Sequence, residues 1–164
     1  MIFISVGTQL SFDRLTKTVD SWLSSHAEEE AFFQIAEGEY QPKNGVVQKY
    51  VGADQYQQIF EESDLIISHA GMGTIISALE SGKSVIVMPR RFSLGEHRND
   101  HQMATAERIG ELGGAEVAWC EEELLAKLDD YKQGKKVTSG ALSENGNLAS
   151  LCTFLDGYLL QDAK

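Results

Sequence analysis

Two short glycine segments stand where an apolar run ends. Gly7-Thr8 follows the run 2–6, and His69-Ala70-Gly71-Met72-Gly73-Thr74 follows the run 64–68. A backbone without side chains lets a ligand approach closely, and the free N–H groups of a first helical turn favour an anion. Thr74 adds a hydroxyl donor. Such a loop either cradles a phosphate or only turns a strand into the helix packed on it, and spacing leaves both open. It lacks the Gly-Lys-Ser/Thr ending of a P-loop and is not G-x-G-x-x-G.

A second set of chemical groups follows the run 84–88. Residues 89–102 hold Arg90, Arg91 and Arg98 together with His97 and His101. Guanidinium forks suit a diphosphate, and Asp100, His101 and Gln102 suit sugar hydroxyls. The alternative is a solvated loop before a capped helix, with Glu96 and Asp100 partly cancelling the positive charge. His69 either donates to a ligand oxygen or is a buried histidine bonded to backbone. His97 and His101 are four apart, but with no carboxylate triad or cysteines nearby, no metal site is expected. His26, beside Glu28-Glu29-Glu30, reads as a surface residue.

The elements that must position these groups alternate. Apolar runs at 2–6, 31–35, 46–51, 64–68, 84–88 and 116–119 read as strands. Helical patterns fill 11–24, 54–62, 74–81, 99–112 and 121–131, with Ser11 as an N-cap and Gly82 and Gly113 as C-terminal stops. The acidic run Glu121-Glu122-Glu123 suits a helix N-terminus. The runs at Leu65 and Val85 are continuously apolar, as in strands covered on both faces. A Rossmann-like, doubly wound, mainly parallel α/β sheet is expected, its ligand site at the carboxyl ends of the strands. Residues 1–164 read as one domain, with a polar mobile stretch near 133–147 and a helix near 148–160. That helix carries Leu148, Leu151, Cys152, Leu155 and Leu159 on one face, to pack on its own domain or dock a partner.

Composition excludes several classes. Fourteen Lys+Arg against 25 Asp+Glu give a formal net charge of -11, the wrong sign for nucleic-acid binding or adsorption to anionic lipid. Cys120 and Cys152 have no CxxC spacing and suit reduced thiols in the cytoplasm. No apolar run reaches the roughly 18–20 residues of a spanning helix.

Taken together, Val6-Gly7-Thr8 with Phe12-Asp13-Arg14-Leu15, the segment 68–74, the segment 79–90 and Glu96-His97-Arg98-Asn99-Asp100-His101-Gln102 resemble the C-terminal domain of family 28 glycosyltransferases. The resemblance covers most of residues 1–120. Within the family the resemblance is to single-domain members: the catalytic subunit of the eukaryotic dolichol-pathway N-acetylglucosamine transferase and, more so, subunits of bacterial exopolysaccharide glucuronosyl/galactosyltransferases. It implies the donor half of a GT-B enzyme, active with a separate, membrane-associated subunit that carries the acceptor lobe and recruits the chain to the cytoplasmic membrane face. The implied reaction is inverting transfer from a UDP-sugar to a lipid-linked saccharide in polysaccharide biosynthesis, without metal or cofactor. Gly7 and Thr8 would border the diphosphate. His69, Gly71, Gly73 and Thr74 would line the phosphates, and Asp100, His101 and Gln102 the transferred sugar; Arg90 lies in the matching loop. The resemblance names no catalytic base in this chain; in full-length relatives the base usually lies in the other lobe, here the partner's. Many relatives place a ribose-binding glutamate six residues after the central glycine. Here that position is Ser77, and Glu80 lies one turn later. The alternative is a non-catalytic nucleotide-binding or stabilising subunit.

Overall fold

A computed structural model of the chain describes residues 1–135 and 137. The expected helix near 148–160, and all of the 133–147 stretch except residues 133–135 and 137, lie outside them. Six strands, β1 (Ile2–Ser5), β2 (Ala31–Gln34), β3 (Val46–Gln48), β4 (Leu65–His69), β5 (Ser84–Met88) and β6 (Glu116–Val117), form one sheet in the order β3-β2-β1-β4-β5-β6. Every pairing is parallel, and Ser5 lies in register with Gln34 on one side and Ser68 on the other. Strand order reverses between β1 and β4, the position where doubly wound sheets open a crevice.

Side chains alternate across each strand. Ile2, Ile4, Leu65, Ile67, Ile86 and Met88 pack under α1 (Asp13–Leu23) and α5 (Glu121–Lys132). Phe3, Ile66, Val85 and Val87 pack under α2 (Ala53–Glu62), α3 (Met72–Glu80) and α4 (His101–Glu111). Two cores thus cover both faces. Trp22 Nε1 donates to Asp129 Oδ1 at 2.7 Å and joins α1 to α5. Asp20, 3% exposed, accepts from Tyr40 Oη, the amides of Lys43 and Asn44, and Asn44 Nδ2, which ties the β2–β3 connection to α1.

Ser11 does not cap α1. The cap position falls on Phe12, with no side-chain cap bond. Phe12 is 1% exposed, with the guanidinium carbons of Arg14 and Arg90 about 5 Å from its ring centroid (5.2 and 5.1 Å). Burying an aromatic ring outweighs a cap worth about 1 kcal/mol. α3 starts at Met72, earlier than its apolar pattern suggests, because Gly71 takes the N-cap position. α4 starts at His101, and Asn99 Oδ1 accepts from its amide.

Candidate functional site

The carboxyl ends of β1, β2, β4 and β5 open into one cleft of about 1120 Å³. It gathers Gly7, Thr8, His69, Gly71, Gly73, Thr74, Ser77, Arg90, His101 and Gln102. Asp100 and Glu80 are not among its lining residues. Asp100 Oδ1 accepts from the Phe92 amide at 3.0 Å and closes a turn, and Glu80 ends α3 on the surface. Among the described residues no aspartate or glutamate lines the cleft.

The first turn of α3 faces this space. Its first intrahelical bond runs from the Ile75 amide to Gly71 O. The amides of Met72, Gly73 and Thr74 have no hydrogen-bond partner among the described residues. The three N–H groups and the helix dipole make an anion-favouring end. A Cβ built on Gly73 would meet nothing within 4 Å, so the missing side chain leaves the cleft open there.

Gly7 and Gly71 serve a different purpose. The imidazole of His69 lies between them. A Cβ on Gly71 would stand 2.1 Å from His69 Nε2, and one on Gly7 would stand 2.7 Å from His69 Cε1. Gly7 also has φ +78°, a conformation that favours glycine. These two glycines make room for the histidine, and Gly73 makes room for a ligand. Burial, then the charge of Arg90, holds the His69 pKa down at about 4, so the ring is neutral at pH 7. Its Nδ1 is buried without a hydrogen-bond partner.

Arg90 is 3% exposed and not a free arm. Its Nη2 donates to Val6 O at 2.8 Å and Leu10 O at 2.6 Å, bracing the loop that carries Gly7 and Thr8. Its Nε is buried without a partner, and burial lowers its pKa to about 10, which leaves it cationic at neutral pH. The Arg90 amide donates to Gln102 Oε1 at 3.1 Å, so that oxygen is already engaged. Arg91 Nη2 donates to Trp119 O. At both positions Nη2 is engaged by backbone carbonyls, so neither arginine is a free arm, and Arg90 presents its charge to the cleft from a fixed position. Inside a folded loop these carbonyls need partners, and the sequence does not show which groups will supply them.

Sequence reasoning missed several other lining residues, among them Ser5, Gln34, Val51, Tyr56 and Gln57, while His97 and Asn99, which belong to the 96–102 motif, also line the cleft. Ser5 and Gln34, paired through Oγ and Oε1 at 3.0 Å, are polar residues within buried strands. That pattern is itself a signal, because buried polar groups need a purpose. Tyr56 sets its ring edge-on to Phe3 and its hydroxyl 3.4 Å from Thr74 Oγ1. Among the described residues no group of three or more His, Cys, Asp or Glu is placed to hold a metal ion.

The fold has known counterparts. The family described as glycosyltransferase family 28 C-terminal domain matches residues 1–147. The UDP-N-acetylglucosamine transferase subunit ALG13 of Homo sapiens is 27% identical over 177 residues, covering 99% of this chain and 15% of that protein. The NDP-glycosyltransferase YjiC of Bacillus subtilis (strain 168) is 29% identical over 91 residues, covering 56% of this chain and 21% of that protein. The chain thus spans well under half the length of these curated relatives. The NMR solution structure of ALG13 superposes with a TM-score of 0.63 at 19% identity, over 92% of this chain and 93% of that one. The glycotransferase of kitacinnamycin gives 0.61 at 23% identity, over 92% of this chain and 37% of that one. These likenesses show a Rossmann-like fold, that of the C-terminal half of GT-B enzymes. On the match over residues 1–147, this chain belongs to the glycosyltransferase family 28 C-terminal domain family.

Proposed function

We propose that this chain is the donor-binding, catalytic subunit of a UDP-sugar-dependent glycosyltransferase. The observation that carries this is a cleft that no carboxylate lines among the described residues, with the open first turn of α3 in its wall. Such a site favours a nucleoside diphosphate over a neutral or cationic ligand. Strand order extends it both ways. Val51 and Tyr56, beyond β2, suit a planar base. His97, Asn99, His101 and Gln102, beyond β5, suit a sugar.

The helix N-terminus and Arg90 would stabilise charge developing on the departing UDP, with no metal required. The acceptor hydroxyl also needs a base, which we assign to a partner subunit carrying the acceptor lobe. One observation supports a partner: a human relative is itself described as a transferase subunit. Among the described residues no helix is long and apolar enough to cross a membrane. We infer recruitment to the cytoplasmic membrane face through that partner, and a lipid-linked saccharide acceptor in exopolysaccharide or capsule synthesis.

Titration calorimetry with UDP tests the donor assignment. Saturable binding, weakened by Gly73→Val and Thr74→Ala, is expected. Binding indifferent to both substitutions would remove the nucleotide from α3. UDP binding with no sugar transfer, even beside the co-expressed partner, would favour a non-catalytic nucleotide-binding subunit.

A further inference from the structure

The β5–α4 loop reaches the cleft through His97 and Asn99, yet its own secondary structure is one short 3-10 turn, Phe92–Leu94. Something outside the loop must hold it. Arg14, on the first turn of α1, does so from 82 residues away. Its Nε donates to Glu96 Oε1 at 2.7 Å and its Nη2 to Glu96 Oε2 at 2.8 Å, a two-pronged pair. Nη2 also donates to Pro89 O at 3.1 Å, and Nη1 reaches Glu121 Oε2 at 3.4 Å. Both partner side chains are largely buried, at 12% and 13% exposure. Glu96 in turn accepts from the Arg91 amide through Oε2 at 2.9 Å. Arg91 O receives the amides of Leu94 and Glu96, both at 3.2 Å. One guanidinium therefore ties together α1, the end of β5, the loop and α5.

We propose that Arg14 is a positioning residue for the donor sugar: through Glu96 it fixes the loop that sets His97 and Asn99 at the sugar end of the cleft. Arg14 does not line the cleft, and apart from Arg90, which its own bonds to Val6 O and Leu10 O hold in place, the groups placed around the phosphates follow β1, end β4 or open α3. Loss of the clamp frees the sugar end and leaves the phosphate end in place. This rests on the nucleotide-sugar reading of the cleft, and the test separates the two.

Hydrogen exchange and titration calorimetry are run on the wild-type chain and on Arg14→Ala, Arg14→Lys and Glu96→Gln. The ligands are UDP, UDP-glucose, UDP-galactose, UDP-glucuronate and UDP-N-acetylglucosamine. In Arg14→Ala the amides of Arg91, Leu94 and Glu96 should exchange about tenfold faster or more, because truncating one partner of a buried pair opens the segment it holds. Amides of β1 and β4 should be unchanged. UDP affinity should stay within about twofold, while the extra affinity conferred by the best-bound sugar falls about tenfold. Arg14→Lys, which keeps the charge without the fork, should fall between. Glu96→Gln, a change of similar size and shape, covers the case in which Arg14→Ala fails to fold. Unchanged loop exchange in Arg14→Ala and Glu96→Gln overturns the clamp. Faster exchange with an unchanged ratio of UDP-sugar to UDP affinity overturns its role in donor recognition. If the wild-type chain binds none of these nucleotides, alone or beside the co-expressed partner, the cleft assignment fails instead, and loop exchange still decides the clamp.

Discussion

Gly73 and Gly71 stand two residues apart, and the structure gives them opposite roles. A methyl on Gly73 enters empty space in the first turn of α3. Replacing glycine by alanine in a helix is favourable by up to about 1 kcal/mol, less in the first turn. Gly73→Ala should therefore leave the melting temperature unchanged or raise it slightly. The same methyl stands where a diphosphate would approach the amides of Met72, Gly73 and Thr74. Losing one or two charge-assisted hydrogen bonds, at about 1.5–3 kcal/mol each, lowers UDP affinity by about 10-fold to 100-fold or more. A methyl on Gly71 would lie 2.1 Å from His69 Nε2 and must displace the buried ring. Overpacking of that kind costs about 1–3 kcal/mol, or about 2–12 °C in melting temperature for a domain of this size. Gly7→Ala belongs with Gly71→Ala, since its Cβ meets the same ring and its φ is positive. Thermal melts and UDP titrations of the three variants decide the matter. Undiminished UDP affinity in Gly73→Ala, or equal destabilisation of Gly73→Ala and Gly71→Ala, would refute the assignment.

Other outcomes follow from the buried ionisable groups. His69 has a folded-state pKa of about 4 against an ordinary 6.5, so the unfolded chain binds more protons between these values and stability is lost there as the pH is lowered. The shift is worth about 3 kcal/mol; melts across pH 4–7 should show a steeper acid loss in the wild-type chain than in His69→Gln. For Asp20, burial works to raise the pKa, and hydrogen bonds from Tyr40, Asn44 and Lys43 outweigh it, so the net direction is down. Its contribution is present above the unfolded carboxyl value of about 3.9 and is lost as pH falls through the lower folded value. Asp20→Ala should cost about 3 kcal/mol by denaturant melts and leave UDP affinity unchanged, since Asp20 does not line the cleft. A chelator should change UDP affinity by less than about twofold if backbone N–H groups bind the phosphates without a metal; a larger loss by calorimetry would call for a bound ion.

Much of the scaffold was legible in local pattern. The apolar run 84–88 is β5 to the residue, and Gly82 closes α3 with φ +63°. Continuous apolar strands announced a sheet covered on both faces. The expected strands at 46–51 and 116–119 are shorter, as β3 ends at Gln48 and β6 at Val117. The place of the candidate cleft and part of its lining were legible too, because strand ends and glycine loops converge wherever strand order reverses. Long-range pairing stayed hidden. Arg90 and Arg91 look alike in sequence to an arm reaching for phosphate, but their partners are the carbonyls of Val6, Leu10 and Trp119. Gly71 reads as room for a ligand, and only the fold shows His69 occupying that room. Arg14 and Glu96 meet only because β5 leaves its loop beside the start of α1, a consequence of strand order and not of spacing.

The most direct test of the central claim is an amide-resolved NMR titration of the chain with UDP. The account predicts saturable shifts at Gly7, Thr8, Met72, Gly73 and Thr74, with smaller shifts near Val51 and Tyr56. Saturable shifts confined to the opposite end of the sheet, or no shifts at these amides when a UDP-sugar and the partner subunit are both present, would contradict it.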